Sequence, residues 1–364
     1  MKNVVSDDKI RNFRDLVNSN SSFVYQIYKD KGGKNLFNLV CSYMDWITVS
    51  VRHLENASEF DKNIDTKCMQ IYSLISSIDL IFESIKQLHR VFINEKTLPF
   101  SGEKNCFEKR LFSNEDDNTY FKTIRACFGA HPVALNQENT KRFASWPFDS
   151  HFNAGDLTVH LYSRDVNEED LALHLNIDEL LEFLTTRYDY LDVIADKIET
   201  LFFEHQQNLS KQLIETKADP LQQLYVLKTE SEKRLDNDYY NGEIDDLIMI
   251  FEAEVTEPTL VPMAENYKDS LLPLIEEIKT NLQEMNIVDL DNDSNLRVRS
   301  DLSRELSYEL QKFFTWVHGD RYDHLLDYYL ERFNTVTNGK FNFNKSDEIN
   351  LIFLKAKLML AQEL

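Results

Sequence analysis

The segment YFKTIRACFGAHPVAL, residues 120–135, sets an arginine at 125 and a histidine at 131 around a short apolar face made by Phe121, Ile124 and Phe128. The two side chains complement each other chemically. An imidazole exchanges its proton near neutral pH and a guanidinium keeps its charge throughout, so the pair can move a proton beside a fixed positive charge. A cation at the edge of an apolar stripe is costly unless it has a partner or a task. At about 100° per residue, the six steps from Arg125 to His131 amount to roughly 240°, which puts them on different faces of an ideal helix. Gly129 and Pro132 interrupt such a helix, and a terminus between the two residues lets the imidazole fold back toward the guanidinium.

Other residues could support this pair. Asp79 and Glu83 lie four apart, on one face of a preceding helical pattern beside Ile78, Ile81 and Phe82, where an acid could orient the cation. The plain alternative is two acids solvated or paired at a bundle edge. Lys122 stands one turn before Arg125, and downstream KRFASWPFD interleaves Lys141 and Arg142 with Phe143, Trp146 and Phe148. That mixture holds a nucleic-acid strand by phosphate contact and base stacking, although such aromatics more often anchor a loop onto a core.

Three further groupings carry less. Asp289, Asp291 and Asp293 open like a calcium loop, but Ser294 replaces the required glycine and Ser300 the bidentate glutamate. His318, Asp320, Asp323 and His324 match no metal-ligand spacing, and Gly319 marks a polar interhelical turn. His160 and His174 are read as facing each other across a hairpin, on its solvent side. No metal site is expected. Cys41, Cys68, Cys106 and Cys127 form no C-x-x-C pair and are read as reduced thiols without redox chemistry. Phosphate-loop, dinucleotide-binding, nucleophile-elbow and His-Glu-x-x-His motifs do not occur.

The elements that must position these residues are mostly helices. Residues 34–54 repeat apolar side chains at i, i+3, i+4 and i+7 (Leu36, Leu39, Val40, Tyr43, Met44, Ile47, Val51), and residues 64–93 do the same from Ile71 to Leu88. Residues 94–115 read as a long loop, and a helix follows from about Asp117, with Glu115, Asp116 and Asp117 complementing its positive end. GDLTVHLYS and DLALHLNI alternate with period two and predict a β-hairpin at about 156–176. From Asp178, read as the N-cap, an amphipathic helix runs to about 214 and could bridge two domains. Five further helices are expected beyond it, the last over Ile349, Ile352, Phe353, Ala356 and Met359. The expected organisation is mainly α: a helical bundle over 1–215 with the hairpin inserted, and a C-terminal helical domain over 216–364.

Composition narrows the function classes. The chain of 364 residues has 40 Lys+Arg against 62 Asp+Glu, a formal charge of −22, with only 8 Gly and 7 Pro. Such a charge repels nucleic acid and anionic membrane as a whole, so a polyanion requires a local basic patch. Residues 86–146 supply one, with ten bases against seven acids. The N-terminal stretch lacks a signal-like apolar run and no uncharged segment has the length of a membrane span, so a soluble, cytoplasmic protein without membrane partners is expected.

The segment Arg125-Ala-Cys-Phe-Gly-Ala-His131, followed by Pro132 and preceded by two long helices, resembles the HEPN superfamily, helical bundles that carry an Arg and a His separated by four to six residues. The resemblance covers about residues 34–135. It implies a metal-independent endoribonuclease without cofactor, acting at a dimer interface where two copies of the motif meet. Arg125 would then hold the scissile phosphate and stabilise phosphorane charge, and His131 would act as general base or acid for attack by the adjacent 2′-hydroxyl, leaving a 2′,3′-cyclic phosphate. The family further implies a role as a bacterial toxin or antiphage effector. The alternative from the charge is a non-catalytic, inactive HEPN-like protein that binds a basic protein partner through its acidic surface.

Overall fold

The computed structural model describes residues 5–111, 115–130, 134–137, 140–145, 156–234, 237–286, 288–297, 302–319 and 323–361. The protein is mainly helical and divides into two compact units, Met1–Phe203 and Glu204–Leu364. The division precedes the boundary expected near 215.

Unit 1 begins with α1 (Asp7–Ser19) and α2 (Ser21–Tyr28), followed by α3 (Leu36–Glu55) and α4 (Ile64–Phe92). Short polar residues set the starts: Ser6, Asn35 and Asn63 each accept a backbone N–H of the first turn of α1, α3 and α4. α3 and α4 pack together through the stripes the sequence marks, and Val40, Ile47, Val51, Ile71, Ile75, Ile81 and Ile85 are fully buried. α4 is long and apolar enough to pass for a membrane span by composition, but protein covers most of it. In its second half only a narrow outward stripe stays in contact with solvent, including Ser76, Leu80 and Glu83.

α5 (Asp117–Arg125) continues into a π-helical turn, Ala126–Ala130. Four antiparallel strands follow, β1 (Ala134–Gln137), β2 (Thr140–Ala144), β3 (Leu157–Ser163) and β4 (Leu171–Leu175), in the spatial order β1-β2-β3-β4. The expected hairpin is therefore the second half of a meander. Its register pairs Thr158 with His174 and His160 with Ala172, so the two histidines are offset rather than opposed. α6 (Ile177–Ser210) closes the unit's core with Leu180, Phe183, Leu184, Leu191 and Ile194. Its start is set by Asn176, whose side chain accepts the Asp178 N–H, and not by Asp178 itself.

Unit 2 contains seven α-helices among the described residues, α7 (Pro220–Arg234), α8 (Asp238–Glu252), α9 (Val261–Ser270), α10 (Leu272–Glu284), α11 (Arg304–His318), α12 (Leu326–Val336) and α13 (Ile349–Ala361), with one 3-10 turn at Asp293–Asn295. The sequence reading expects five, and a one-residue break at Leu271 separates α9 from α10. α13 is central to this core. Every residue from Ile352 to Leu360 is buried, including two lysines. Lys355 reaches Glu257, Asp347 and the Asn342 carbonyl, and Lys357 reaches Asp246 and the Leu296 carbonyl, so each ammonium has anionic and carbonyl partners.

Candidate functional site

α5 is anchored at both ends by groups the sequence pattern only partly reveals. Phe121 is fully buried and stacks on Phe183 of α6 with ring centroids 4.5 Å apart, and Tyr120 and Ile124 are buried beside it. At its start, Asp116 caps the helix at Thr119 and takes the Gly102 N–H at 2.9 Å. Asp117, fully buried, accepts N–H groups from Asn105 at 2.7 Å and Cys106 at 3.0 Å and pairs with Arg110. Burial alone would raise its carboxyl, but the two N–H groups and Arg110 outweigh it and hold Asp117 below the usual carboxylate range. Asp116 and Asp117, two of the three acids read as dipole partners, thus tie Gly102, Asn105, Cys106 and Arg110 of the preceding loop onto the helix.

Arg187 fixes the same loop from α6, and nothing in the amphipathic pattern singled it out. It is 1% exposed, lies over the rings of Phe100 and Phe183 at 4.5 and 4.0 Å, and donates to the Cys106 sulfur and the Asn118 side chain. Burial lowers its pKa.

With α5 held, Arg125 emerges at its last residue. Its Nε lies 3.0 Å from Asp79 Oδ2 of α4 in an ion pair, and the arginine side chain is 49% exposed against 11% for the aspartate. The ion pair engages the guanidinium at Nε, while its two terminal nitrogens have no hydrogen bond or ion pair among the described residues and about half of the side chain stays exposed. Asp79 Oδ1 is buried with no hydrogen-bond donor among the described residues. Burial raises the Asp79 carboxyl above its ordinary value, Arg125 opposes this, Glu83 reinforces it, and Lys86 and Lys122 oppose it more weakly.

Glu83, one turn along α4, pairs with Lys86 at 2.6 Å, and Lys86 is itself buried over the Phe82 ring. Lys122 is exposed and has no partner among the described residues. Three cations and two acids therefore share the face where α5 and the π-helical turn meet α4, a surplus of one positive charge within a strongly acidic chain. π-helical turns break the regular i→i+4 ladder and recur at functional sites.

The other expected residues are placed differently. His131 and Trp146 lie outside the described residues. Lys141 is exposed on β2, whereas Arg142 is buried and binds the Glu169 carbonyl and Glu168, which ties β2 to the β3–β4 connection. Cys127, in the π-helical turn, is buried and its thiol is pushed up to about 12, so it stays protonated at neutral pH.

Of the alternative groupings, Asp293 accepts the Tyr239 hydroxyl and pairs with Arg297, and His318 sits 3.2 Å from Asp246. His174 bonds Thr158 at 2.9 Å. Among the described residues no three His, Cys, Asp or Glu side chains are grouped to hold a metal ion.

A half-exposed guanidinium paired at one nitrogen with a buried carboxylate is suited to grip a phosphate by its oxygens. Comparison with family models, curated proteins and solved structures finds no match to this chain.

Proposed function

We propose that the protein is a metal-independent endoribonuclease of the HEPN kind, in which Arg125 grips the scissile phosphate and His131 transfers the proton of the attacking 2′-hydroxyl. The observation that carries this reading is the Arg125–Asp79 pair at the start of the π-helical turn that precedes His131. Asp79 pairs with the guanidinium on its Nε side, and the half-exposed side chain would offer its terminal nitrogens to two phosphate oxygens, the bidentate geometry that arginine provides and lysine does not. Lys122 adds a second exposed cation one turn away for a neighbouring phosphate.

In the reaction so read, His131 takes the 2′-hydroxyl proton, the 2′-oxygen attacks phosphorus, and the 5′-oxygen of the next nucleotide departs and receives a proton. The products are a 2′,3′-cyclic phosphate and a free 5′-hydroxyl. Arg125 neutralises the charge that develops on the phosphoryl oxygens. Two copies of the chain would bring two such motifs together, and a toxin or antiphage effector role follows from the same resemblance.

Cleavage of a mixed RNA pool in EDTA, by wild type and by His131→Ala and Arg125→Ala at matched thermal stability, tests the reading. It requires cyclic-phosphate ends from wild type and loss of cleavage in both variants. Equal cleavage by all three, or none by wild type across salt and protein concentrations, would overturn it.

A further inference from the structure

The outward stripe of α4 is flanked on its two sides by different chemistry. On one flank, Asp79 holds Arg125 of α5 at 3.0 Å. On the other, Ser73 meets His53 of α3 through a 2.8 Å hydrogen bond, which fixes the register of the α3–α4 pair. Because the helices are antiparallel, seven residues back along α3 and seven forward along α4 are both about two turns, roughly 10.5 Å. Trp46 therefore stands beside Leu80, the residue that follows Asp79. Trp46 is 50% exposed, and its ring makes no aromatic or cation contact among the described residues. Val49, three residues along α3, is 63% exposed, and Leu80 is 38% exposed.

A large aromatic left half in water needs an explanation that a core residue does not. Here one wall of the α4 stripe is apolar and aromatic, the other carries Arg125 and the unpaired Lys122, and the strip between is narrow and partly polar, with Ser76 and Glu83. That combination suits a single-stranded nucleotide, whose phosphate seeks cations and whose base offers a flat face to an indole. A purely apolar protein contact would not call for the cationic wall.

We infer that Trp46 is a stacking platform for the base of an RNA nucleotide whose phosphate sits on Arg125 and Lys122, making the α4 stripe the floor of a single-strand groove. The inference rests on the nuclease reading for its ligand. Stacking accepts any base, so the subsite would add affinity without sequence preference.

The test uses a short 2′-deoxy oligonucleotide of mixed sequence, which lacks the attacking hydroxyl and cannot be cleaved by this route, with wild type, Trp46→Phe and Trp46→Ala. All three proteins are checked by circular dichroism, thermal midpoint and solution mass. Wild type should lose tryptophan fluorescence on binding, and Trp46→Phe should bind within about threefold of wild type without most of that quenching. Trp46→Ala should bind between about fivefold and a hundredfold more weakly.

Binding and quenching by a wild type that cleaves no RNA would support the groove while the nuclease reading fails. Cleavage by wild type with affinity and quenching unchanged in Trp46→Ala would overturn the groove and leave the nuclease. A lower solution mass for Trp46→Ala with unchanged oligonucleotide affinity would also overturn it, since the face would then be a protein interface.

Discussion

Arg125 of α5 and Asp79 of α4 share an ion pair with unequal surroundings, the guanidinium half in water and the carboxylate nearly out of it. The relation assigns the two residues different tasks. Under the proposed function the aspartate, nearly buried, would act only through the arginine, which keeps half of its side chain in solvent. Under the proposed function, Asp79→Asn should therefore lower RNA cleavage by about ten- to a hundredfold through misplacement of Arg125. Its stability should move the other way. Burial raises the folded-state pKa of Asp79, so an unfolded chain releases this proton first, and stability is lost as pH rises through the folded value. Asparagine removes that loss, and thermal midpoints of the two proteins should diverge in favour of the variant as pH rises toward neutrality.

Under the proposed function, Lys122 and Arg142 separate a contact with RNA from a structural one. Lys122→Ala should weaken oligonucleotide binding and reduce the slope of log affinity against log salt by about one. Arg142→Ala should leave that slope alone and lower thermal stability, because its guanidinium holds Glu168 and the Glu169 carbonyl. Binding isotherms at four salt concentrations check both.

Arg187→Lys keeps the charge but loses the planar fork that reaches Cys106 and Asn118 while lying over Phe100 and Phe183. The substitution should cost about 2–4 kcal/mol in denaturant unfolding. Hydrogen exchange should accelerate first in residues 94–111, the loop this arginine fastens.

Glu243 of α8 makes unit 2 sensitive to pH. Its Oε2 is buried with no donor among the described residues. Burial raises its pKa to about 7, Asp246 adds to the shift, Lys357 opposes it, and Asp293 and Arg297 contribute less with opposite signs. Since the folded form holds the proton more tightly, the stabilisation is complete below the ordinary glutamate value near 4.5 and is lost as pH rises to about 7. Glu243→Gln should abolish that decline, worth up to about 3 kcal/mol, and urea midpoints measured from pH 4 to 8 would show it.

Much of the scaffold was legible because it depends on periodicity. The stripes of α3 and α4 and the alternation of β3 and β4 each recur over enough residues to define a face, and those faces are buried. What the pattern missed depends on single contacts. Arg142 and Lys141 are adjacent bases in the sequence, yet one is buried and one exposed, because strand alternation turns them to opposite sides and Glu168 and Glu169 receive only the first. Arg187, Lys355 and Lys357 look like ordinary surface cations until distant residues supply their acceptors. At the site, the acid suggested by spacing on α4 does reach Arg125, and of the two candidates it is Asp79, since Glu83 turns to Lys86. The π-helical turn has no residue signature beyond Gly129, so the sequence shows an interruption there without its geometry.

The position of α13 bears on the order in which unit 2 can assemble during synthesis. The helix that fills the middle of this core leaves the ribosome after α7 to α12, and α8 and α9 pack directly against it. At about 5–20 residues per second, the roughly 140 residues from α7 onward take on the order of ten seconds to emerge. Through that interval the earlier helices have no central partner, and Glu257, Asp347 and Asp246 lack the ammonium groups they are built to meet. Unit 1 has no such dependence, since its core closes within residues that precede Glu204. The nascent chain would thus carry a finished N-terminal unit beside an open acidic one, and chaperone demand should fall mainly on the second.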